Sequence, residues 1–236
     1  DIRNVLERSS ARETAMRVAL ASICRILLRE VGIAVGSRVV QIHTVKDETL
    51  LSEHITPEAL NTKADKSPVR CFDKKVEKRM IDAIDKAKQE GDSVGGIFEV
   101  IASGLPYGLG SHTKWDAKLH ARIAESIMSV NAFKGIEIGM GFESARHLGS
   151  AVHDEIGWDG KKYTRYSNNA GGIEGGMSNA QPIVIRTVMK PIPTLIKPLR
   201  SVDIQTKEEK LAHKERTDSC SVPAASIVAE SMLCFV

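Results

Sequence analysis

Residues 171–194, GGIEGGMSNAQPIVIRTVMKPIPT, contain three kinds of segment in succession: a glycine-rich segment, a β-branched run and a turn with two prolines. The stretch begins with a glycine-rich segment, residues 171–176, whose glycines are Gly171, Gly172, Gly175 and Gly176. The β-branched run that follows predicts a strand over residues 181–189, and the prolines after it prevent the strand from continuing. The glycines match neither the dinucleotide-binding motif nor the phosphate-loop motif. The reason for four glycines in six residues therefore has to be sought in the rest of the chain.

The composition excludes several classes of protein. The 236 residues include 33 basic and 30 acidic side chains, which leave a net charge of +3, and 42% of them are hydrophobic. This balance is typical of globular proteins and argues against a nucleic-acid partner bound through bulk charge, so any anion site must be local. The four cysteines form no C-x-x-C pair, which favours a reducing compartment over disulfides or a zinc site. No signal peptide or membrane span is predicted, and we expect a cytoplasmic protein without a membrane partner.

Helices and strands follow one another without a regular period, which predicts a mixed fold. A capping box at Ser10-x-x-Glu13 predicts a helix that runs to about Glu30. Pro68 is predicted to open a second helix, and Gly91 to end it. The other predicted elements are strands over 35–45, 95–102 and 135–142, a helix over 115–130, surface loops over 46–67 and 149–180, and a closing helix within 211–236.

The first candidate site surrounds the start of the first predicted helix. Arg8 and Arg12 flank Ser9 and Ser10, where free backbone N–H groups and the helix dipole favour an anion. Two guanidinium groups there would hold a phosphate or a carboxylate. The alternative is that Ser10 only caps the helix while both arginines pair with surface acids.

The second candidate site is the turn after the predicted strand. Lys190, Pro191, Ile192, Pro193 and Thr194 form a proline-stiffened segment that holds a cation at the end of a strand, with Lys197 close by in sequence. Rigid loops at strand ends are common ligand sites, although an ordinary solvent-facing connection remains an alternative.

The third candidate site is Glu215-Arg216-Thr217-Asp218, just ahead of the closing helix. An aspartate beside an arginine keeps its ionised form and can accept a proton, which makes Asp218 a candidate base. The same pair could instead be a structural ion pair or a helix cap. The seven histidines show no spacing typical of a metal site, so we expect no bound metal.

Taken together, these stretches resemble the chorismate synthase family. The matching motifs are RNVLERSSARETA (3–15), GLPYGLGSHTKWDAKL (104–119), IMSVNAFKGIEIG (127–139), NNAGGIEGGMSNAQPIVIRTVMKPIPTL (168–195) and ERTDSCSVPAASIVAESML (215–233). They stand in the family's order and span the chain, which we treat as a single domain over residues 1–236. The resemblance implies an α+β sandwich with helices between antiparallel sheets, assembled as a homotetramer. It also implies formation of chorismate from 5-enolpyruvylshikimate 3-phosphate by 1,4-elimination of phosphate, with reduced flavin mononucleotide (FMN) as cofactor and NADPH as a possible reductant.

The resemblance assigns roles residue by residue. Arg12 and Arg216 would hold the substrate, and Asp218 would relay a proton at the flavin N5. The positions that match the family's flavin contacts are Arg8, Ser9, Ser10, Asn131, Ala132, Gly175, Lys190, Pro191, Ile192, Pro193, Thr194 and Arg216. In the family, the glycine-rich segment lies against the flavin, which would explain its bare backbone.

Two family motifs have no match here. The Gly-Glu-Ser-His-Gly and Pro-Gly-His segments, which carry the family's two acid histidines, are absent from the 236 residues. We therefore expect a chain that lacks roughly the N-terminal third of the family protein. Two possibilities stay open, an enzyme of which this is a part or a non-catalytic fragment that binds flavin and phosphate.

Overall fold

The computed structural model describes residues 1–51, 55–214 and 217–236. The α-helices within these residues are α1 (Ile2–Ser9), α2 (Thr14–Glu30), α3 (Pro57–Ala64), α4 (Lys74–Gln89), α5 (Leu119–Met128), α6 (Gly149–Val152) and α7 (Val222–Leu233). The strands are β1 (Ala34–Ile42), β2 (Val45–Lys46), β3 (Gly96–Ser103), β4 (Tyr107–Gly110), β5 (Phe133–Ile138), β6 (Ile156–Trp158), β7 (Tyr163–Arg165), β8 (Ile173–Glu174), β9 (Met177–Asn179), β10 (Ile183–Met189), β11 (Arg200–Val202) and β12 (Glu209–Leu211). No helix in this part of the chain has the length and apolar character that crossing a membrane requires.

A five-stranded antiparallel sheet in the order β2-β1-β3-β10-β5 organises the molecule. Strand β3 lies at its centre because it pairs with β1 on one side and β10 on the other. Alternation along β3 directs Phe98, Val100 and Ala102 to one face, where all three are buried. Helix α7 packs on this core face against β1 and β3, α5 packs on β5, and α2 lies beside α7.

The opposite face of the sheet carries paired charges. Arg38 and Glu99 are neighbours across β1 and β3, and their side chains meet at 3.1 Å with little exposure. Arg186 lies opposite both Glu99 and Glu137 in the register of β3, β10 and β5. Helix α3 covers part of this face through an apolar cluster formed by Leu60, Ala64, Phe72 and Ile101. Because each charge faces an opposite one, a one-residue slip of register would break the row.

A buried carboxylate ties helix α7 to the elements around it. Glu230 is 1% exposed, and it accepts hydrogen bonds of 2.8 Å from Ser37 of β1 and from Asn61 of α3. Arg25 of α2 forms an ion pair with the same carboxylate. Removing one partner would leave a buried charge uncompensated, a change that typically costs about 3–5 kcal/mol. The network therefore fixes α2, α3 and α7 relative to β1.

A second buried pair anchors the chain around β2. Asp47 accepts hydrogen bonds from the backbone N–H groups of Thr49 (3.0 Å) and Phe72 (2.9 Å), and its carboxylate lies 3.2 Å from the Cys71 thiol. Burial together with the hydrogen bond to Asp47 raises the pKa of Cys71 to about 12. All four cysteines are free thiols.

Many of the sequence predictions are confirmed. Helix α2 ends at Glu30, β3 and β10 lie within two residues of their predicted starts and ends, and α7 closes the chain. Gly91, with φ of +70°, follows the last turn of α4 as expected for a helix C-terminus. The α+β class is confirmed as well. The remaining strands among the described residues form sheets of only two or three strands, so they do not supply a second large sheet for the expected sandwich.

Three local predictions are wrong. The predicted loop over 46–67 contains α3, which Thr56 caps by accepting from the Ala59 N–H, with Pro57 in the first turn. Helix α4 begins at Lys74 because Asp73 caps it, not at Pro68. The predicted loop over 149–180 contains a short helix and four short strands.

The predicted capping box also fails, because the chain divides into α1 and α2 around an extended Ser10 (ψ 133°). The Ser10 hydroxyl accepts from the Arg12 N–H at 3.3 Å, and the Glu13 side chain turns away to pair with Arg17 at 2.8 Å. A 3₁₀ turn over residues 11–13 joins the two helices, so Ser10 caps that turn and not the long helix.

Candidate functional site

Three of the predicted site segments meet where β5 begins and β10 ends. The Lys190 N–H donates to the Ala132 carbonyl at 3.0 Å, which joins the proline turn to the residue ahead of β5. The Asn131 side-chain amide donates to the Ser9 carbonyl at 2.7 Å, which brings in the junction between α1 and α2. We call this group, Ser9, Asn131, Ala132, Lys190 and Thr194, the ligand end of the sheet. Arg12, which follows Ser9 in the same junction, and Asp218, which follows the hydrogen-bond partner of Thr194, are counted with it.

Ala132 holds an unusual backbone conformation at the ligand end. Its φ of +69° lies in the left-handed region, which costs a residue with a Cβ roughly 1–2 kcal/mol. Such strained residues cluster at binding and catalytic sites. The hydrogen bond from the Lys190 N–H to the Ala132 carbonyl stabilises the strained peptide. It thus joins two residues that the sequence analysis assigned to the flavin site.

The proline turn packs against the chain just ahead of β3. The Ser93 hydroxyl donates to the Ile192 carbonyl at 2.7 Å, and a Cβ at Gly95 would lie 2.3 Å from the Met189 carbonyl oxygen. Glycine at position 95 thus lets the turn lie directly on the chain ahead of β3. Pro191 and Pro193 face outward on this support. The hydrogen bond from Ser93 and the fixed φ of the two prolines restrict this turn, so the prediction that it forms a ligand site stays open.

Asp218 lies close to the proline turn because the preceding residue, Thr217, contacts Thr194 of that turn. Thr194 and Thr217 share a 2.9 Å hydrogen bond between their hydroxyl groups. The Asp218 side chain is exposed, and no residue of the described part donates a hydrogen bond to its carboxylate. The ion pair with Arg216 cannot be placed, because Arg216 lies outside the described residues.

The cations of the ligand end are exposed. Arg12 and Lys190 both face solvent, and neither forms an ion pair within residues 1–51, 55–214 and 217–236. The backbone of Arg8 lies in α1, but its side chain is outside what the structure describes. A strained peptide, an extended serine and two exposed cations form an arrangement suited to binding an anion.

The glycine-rich segment lies toward the other end of β10, and three of its glycines are required by the chain itself. A Cβ at Gly171 would lie 2.3 Å from the Gly139 nitrogen, and one at Gly172 would lie 2.5 Å from the Pro182 carbonyl oxygen. A Cβ at Gly176 would lie 2.5 Å from the Ser111 carbonyl oxygen. At Gly175 the same atom would meet nothing within 4 Å. Within this chain, only Gly175 of the four therefore presents open backbone.

The structure does not bring Gly175 to the ligand end. The neighbouring Gly176 carbonyl accepts from the Leu119 N–H at 2.8 Å, at the start of α5, whereas Asn131 follows the end of that helix. Ten residues of helix span about 15 Å. Among the residues that the structure describes, the predicted flavin contacts thus divide into the group at the ligand end and the distant Gly175.

Sequence reasoning missed Asp154, which organises the loop ahead of the glycine-rich segment. Its carboxylate accepts from the Asn169 N–H (2.7 Å), the Ala170 N–H (2.9 Å) and the Ser167 hydroxyl. Burial alone would raise the pKa of Asp154, but these hydrogen bonds outweigh it and hold the pKa below its usual value. The residues lie 13 to 16 positions apart, so no local motif could have shown the contact.

We call the region formed by Gly139, Asp154, Asn169, Gly171 and Gly172 the loop end of the sheet. Asn169 donates from its side chain to the Val152 carbonyl and accepts from the Met140 N–H, at 3.0 and 2.7 Å. Beside the loop end is a cavity of about 260 Å³ lined in part by Ile138, Asp154 and Ala170. Among the described residues, no three acid, histidine or cysteine side chains are placed to share a metal ion.

Comparison with known proteins identifies the family to which the chain is similar. The family model described as chorismate synthase matches residues 1–236. Chorismate synthase 2 of Bacillus thuringiensis (strain Al Hakam) is 58% identical over 234 residues, which cover 99% of this chain and 60% of the relative. Chorismate synthase of Geobacillus sp. (strain WCH70) is 56% identical with the same coverage.

A solved structure, described as a crystal structure of chorismate synthase, aligns with a TM-score of 0.84 and 44% identity. The alignment covers 100% of this chain and 65% of that one. The chain thus spans 60% of the length of the curated relatives named above. Because the family model matches every residue and the solved fold aligns over the whole length, this chain belongs to the chorismate synthase family.

Proposed function

We propose that the protein containing this chain converts 5-enolpyruvylshikimate 3-phosphate to chorismate. The observation that carries the proposal is the ligand end, where Ser9, Asn131, Ala132 and Lys190, all singled out by sequence, meet through hydrogen bonds of 2.7 and 3.0 Å. The relatives named chorismate synthase support the same reaction. In it the carbon–oxygen bond to phosphate and a carbon–hydrogen bond across the ring break, and a second ring double bond forms without net oxidation.

The ligand end fits reduced FMN as the cofactor. Exposed cations suit the negative charges of FMN, while the strained peptide at Ala132 and the rigid proline turn offer backbone groups that an isoalloxazine edge can contact. The residues that would hold FMN are Arg8, Ser9, Ser10, Asn131, Ala132, Lys190, Pro191, Ile192, Pro193 and Thr194, with Gly175 and Arg216 as further contacts expected from the family. When bound, reduced FMN supplies electron density that stabilises the electron-poor ring as phosphate leaves.

The chain's own residues would orient the substrate and offset its charge. Arg12 is exposed and free of carboxylate partners in the described part, so its guanidinium can pair with the leaving phosphate or the substrate carboxylate. Arg216 is proposed for the same task from the family match alone. These groups stabilise charge that develops as the carbon–oxygen bond breaks.

Asp218 would move the proton. Its exposed carboxylate follows Thr217, which is hydrogen-bonded to Thr194 of the proline turn. A carboxylate held beside the ligand would relay a proton between the flavin N5 and solvent, the role that the family resemblance gives to Asp218. The proposed role needs a free carboxylate oxygen, and the described residues leave it free.

Three further properties are proposed on the family resemblance. NADPH would be the reductant of the flavin, the assembly would be a homotetramer, and the protein would act in the cytoplasm. Light scattering of the purified protein tests the tetramer, and flavin reduction by NADPH under nitrogen tests the reductant.

The test of the function compares Arg12→Ala and Lys190→Ala with control variants at exposed cations of α4, Arg79→Ala and Lys78→Ala. The purified protein receives chemically reduced FMN and substrate without oxygen, and phosphate release and chorismate formation are measured. We expect both ligand-end variants to lose at least tenfold in kcat/KM and both controls to keep full activity.

Full activity in both ligand-end variants, or an equal loss in the controls, would contradict the proposed site. Tight binding of reduced FMN and substrate without any turnover would favour the alternative, a non-catalytic module for flavin and phosphate.

A further inference from the structure

Two segments of the ligand end rest on the same short stretch of chain. The Ser93 hydroxyl donates to the Ile192 carbonyl at 2.7 Å, and the N–H of the next residue, Val94, donates to the Ser219 carbonyl at 2.8 Å. Both residues are 7% exposed, and Val94 belongs to the main hydrophobic core. The proline turn and the segment that carries Asp218 are therefore supported by two adjacent buried residues ahead of β3.

A pair of threonine hydroxyl groups joins these two segments directly. The Thr194 hydroxyl donates to the Thr217 hydroxyl oxygen at 2.9 Å, and the Thr217 hydroxyl donates to the Asp218 carbonyl at 3.1 Å. The next carbonyl along the chain, that of Ser219, is the one to which Val94 donates. The carbonyls of two successive residues thus have a donor, so the exposed Asp218 side chain projects from a fixed backbone.

The chain between the two threonines leaves the body of the protein and returns to it. Thr194 and Thr217 are 23 positions apart. We call residues 195–214 the arm; they contain β11 and β12, which pair only with each other within the described residues and consist of exposed positions. Holding the ends of such a loop together costs conformational entropy, so a contact at its base is needed. The threonine pair is a contact of this kind, one residue away from Asp218.

We propose that Thr217 is a positioning residue, whose hydroxyl holds the Asp218 carboxylate at a set distance from the proline turn. The inference rests on the proposed function, in which Asp218 relays a proton at a flavin bound by that turn. Proton transfer requires hydrogen-bond distances, and a misplacement of about 1 Å can lower a rate by roughly 10²-fold. Thr217 acts through the backbone of its neighbour and needs no contact of its own with flavin or substrate.

A purely local role would give Thr217 different contacts. Thr62 of α3 shows the local kind, because its hydroxyl donates to the Glu58 carbonyl one helical turn earlier, at 2.8 Å. Thr217 instead accepts from a residue of another segment while donating to its own. Its hydroxyl is therefore a link between two parts of the ligand end, and Thr62 offers a matched control.

The test compares Thr217→Val, which has a similar shape and loses both hydrogen bonds, with Thr217→Ser, which keeps the hydroxyl. Thr62→Val is the control, because it removes a threonine hydroxyl from another element. With reduced FMN and substrate, we expect kcat of Thr217→Val to fall about tenfold, while KM and the Kd of oxidised FMN stay within about twofold. Thr217→Ser and Thr62→Val should both keep kcat within about twofold.

A double-mutant cycle separates positioning from a general loss of structure. If Thr217 acts through the Asp218 carboxylate, adding Thr217→Val to Asp218→Asn should lower kcat by less than about twofold more. A further loss of about tenfold in the double variant would overturn the proposal. An equal loss in Thr217→Ser, or an unchanged kcat in Thr217→Val, would overturn it as well. A raised Kd for FMN with unchanged kcat would make Thr217 a binding residue instead.

A measurement without substrate keeps this inference separate from the proposed function. Amide hydrogen exchange, followed by mass spectrometry, reports how often the peptide containing residues 217–222 opens. We expect exchange there to be about fivefold faster in Thr217→Val than in Thr217→Ser, with the rest of the chain unchanged. Equal exchange in the two variants would overturn the positioning role. If the difference is present but the unsubstituted protein forms no chorismate, the proposed function fails and the positioning contact is supported.

Discussion

The loop end and the ligand end of the same sheet differ in what their backbone and charged groups contact. At the loop end the chain contacts itself: the left-handed residues are glycines, and the carboxylate of Asp154 has three donors. At the ligand end a left-handed residue is alanine, and Lys190 and Asp218 face solvent. The loop end is therefore packed against its own chain, whereas the ligand end, where we propose that the cofactor and substrate bind, combines backbone strain at Ala132 with charges that have no partner among the described residues.

The largest expected effect is on stability at the loop end. Gly171→Ala places a Cβ 2.3 Å from the Gly139 nitrogen at a φ of +63°, so backbone strain adds to a steric clash. We expect a loss of about 3 kcal/mol in the free energy of unfolding and a fall in Tm of roughly 6–12 °C. Thermal and urea unfolding measure both values. A change of Tm within 2 °C would show that the loop end relaxes easily, and the comparison would fail.

The next effect is on turnover at the ligand end. Asp218→Asn keeps the shape and removes the base, so we expect kcat to fall by about 10²-fold, with oxidised FMN bound almost as before. Because the side chain is exposed, Tm should not change. Steady-state kinetics and a flavin titration on this one variant decide the role. An unchanged kcat with a raised KM would instead indicate that Asp218 only positions Arg216.

A smaller effect should depend on pH at the loop end. The pKa of Asp154 is lower in the folded than in the unfolded chain, so the unfolded state binds the proton first. The stabilisation is present above the unfolded pKa of about 4 and is lost as pH falls through the folded pKa. Asp154→Asn should cost about 1–2 kcal/mol at pH 7 and less below pH 4. Urea unfolding at several pH values measures this, and a loss that stays constant with pH would exclude the carboxylate as the cause.

The smallest effect on stability is expected at Gly175. A Cβ there meets nothing within 4 Å, so Gly175→Ala should cost only about 1 kcal/mol, from the positive φ alone. Gly175→Val should weaken flavin and substrate binding more than folding if the family contact holds. Unfolding and flavin titration are measured side by side with Gly171→Ala as the matched variant. Normal flavin binding with a lowered Tm would make Gly175 a turn residue only.

The sequence predicts the elements whose signals are local. The β-branched runs locate β3 and β10, and Gly91 locates the end of α4. Helix α3 was missed because its signals are a single capping threonine and a proline within a polar stretch. The start of α4 was misplaced because Pro68 and Asp73 are both plausible first-turn residues, and only packing selects between them.

The identities of the candidate site residues could be predicted from the sequence, but their contacts in space could not. Motif resemblance names Ser9 and Asn131, yet their contact joins positions 122 residues apart, and no pattern along the chain measures such a distance. The same limit hid Asp154, whose partners come from the next loop. The separation of Gly175 from the ligand end, by contrast, agrees with the sequence order, because Gly175 precedes β10 and Lys190 follows it.

The buried thiol of Cys71 supplies a built-in reporter of local opening. Because it is 2% exposed and burial raises its pKa to about 12, we expect it to be unreactive toward disulfide reagents at pH 8 while the contact with Asp47 is intact. Once the segment opens, the thiol has an ordinary pKa and reacts at the rate of a free cysteine. The ratio of observed to free-thiol rates then gives the equilibrium constant for opening around β2. Chemical labelling of one natural side chain could thus follow native-state fluctuations in this part of the molecule without an added probe.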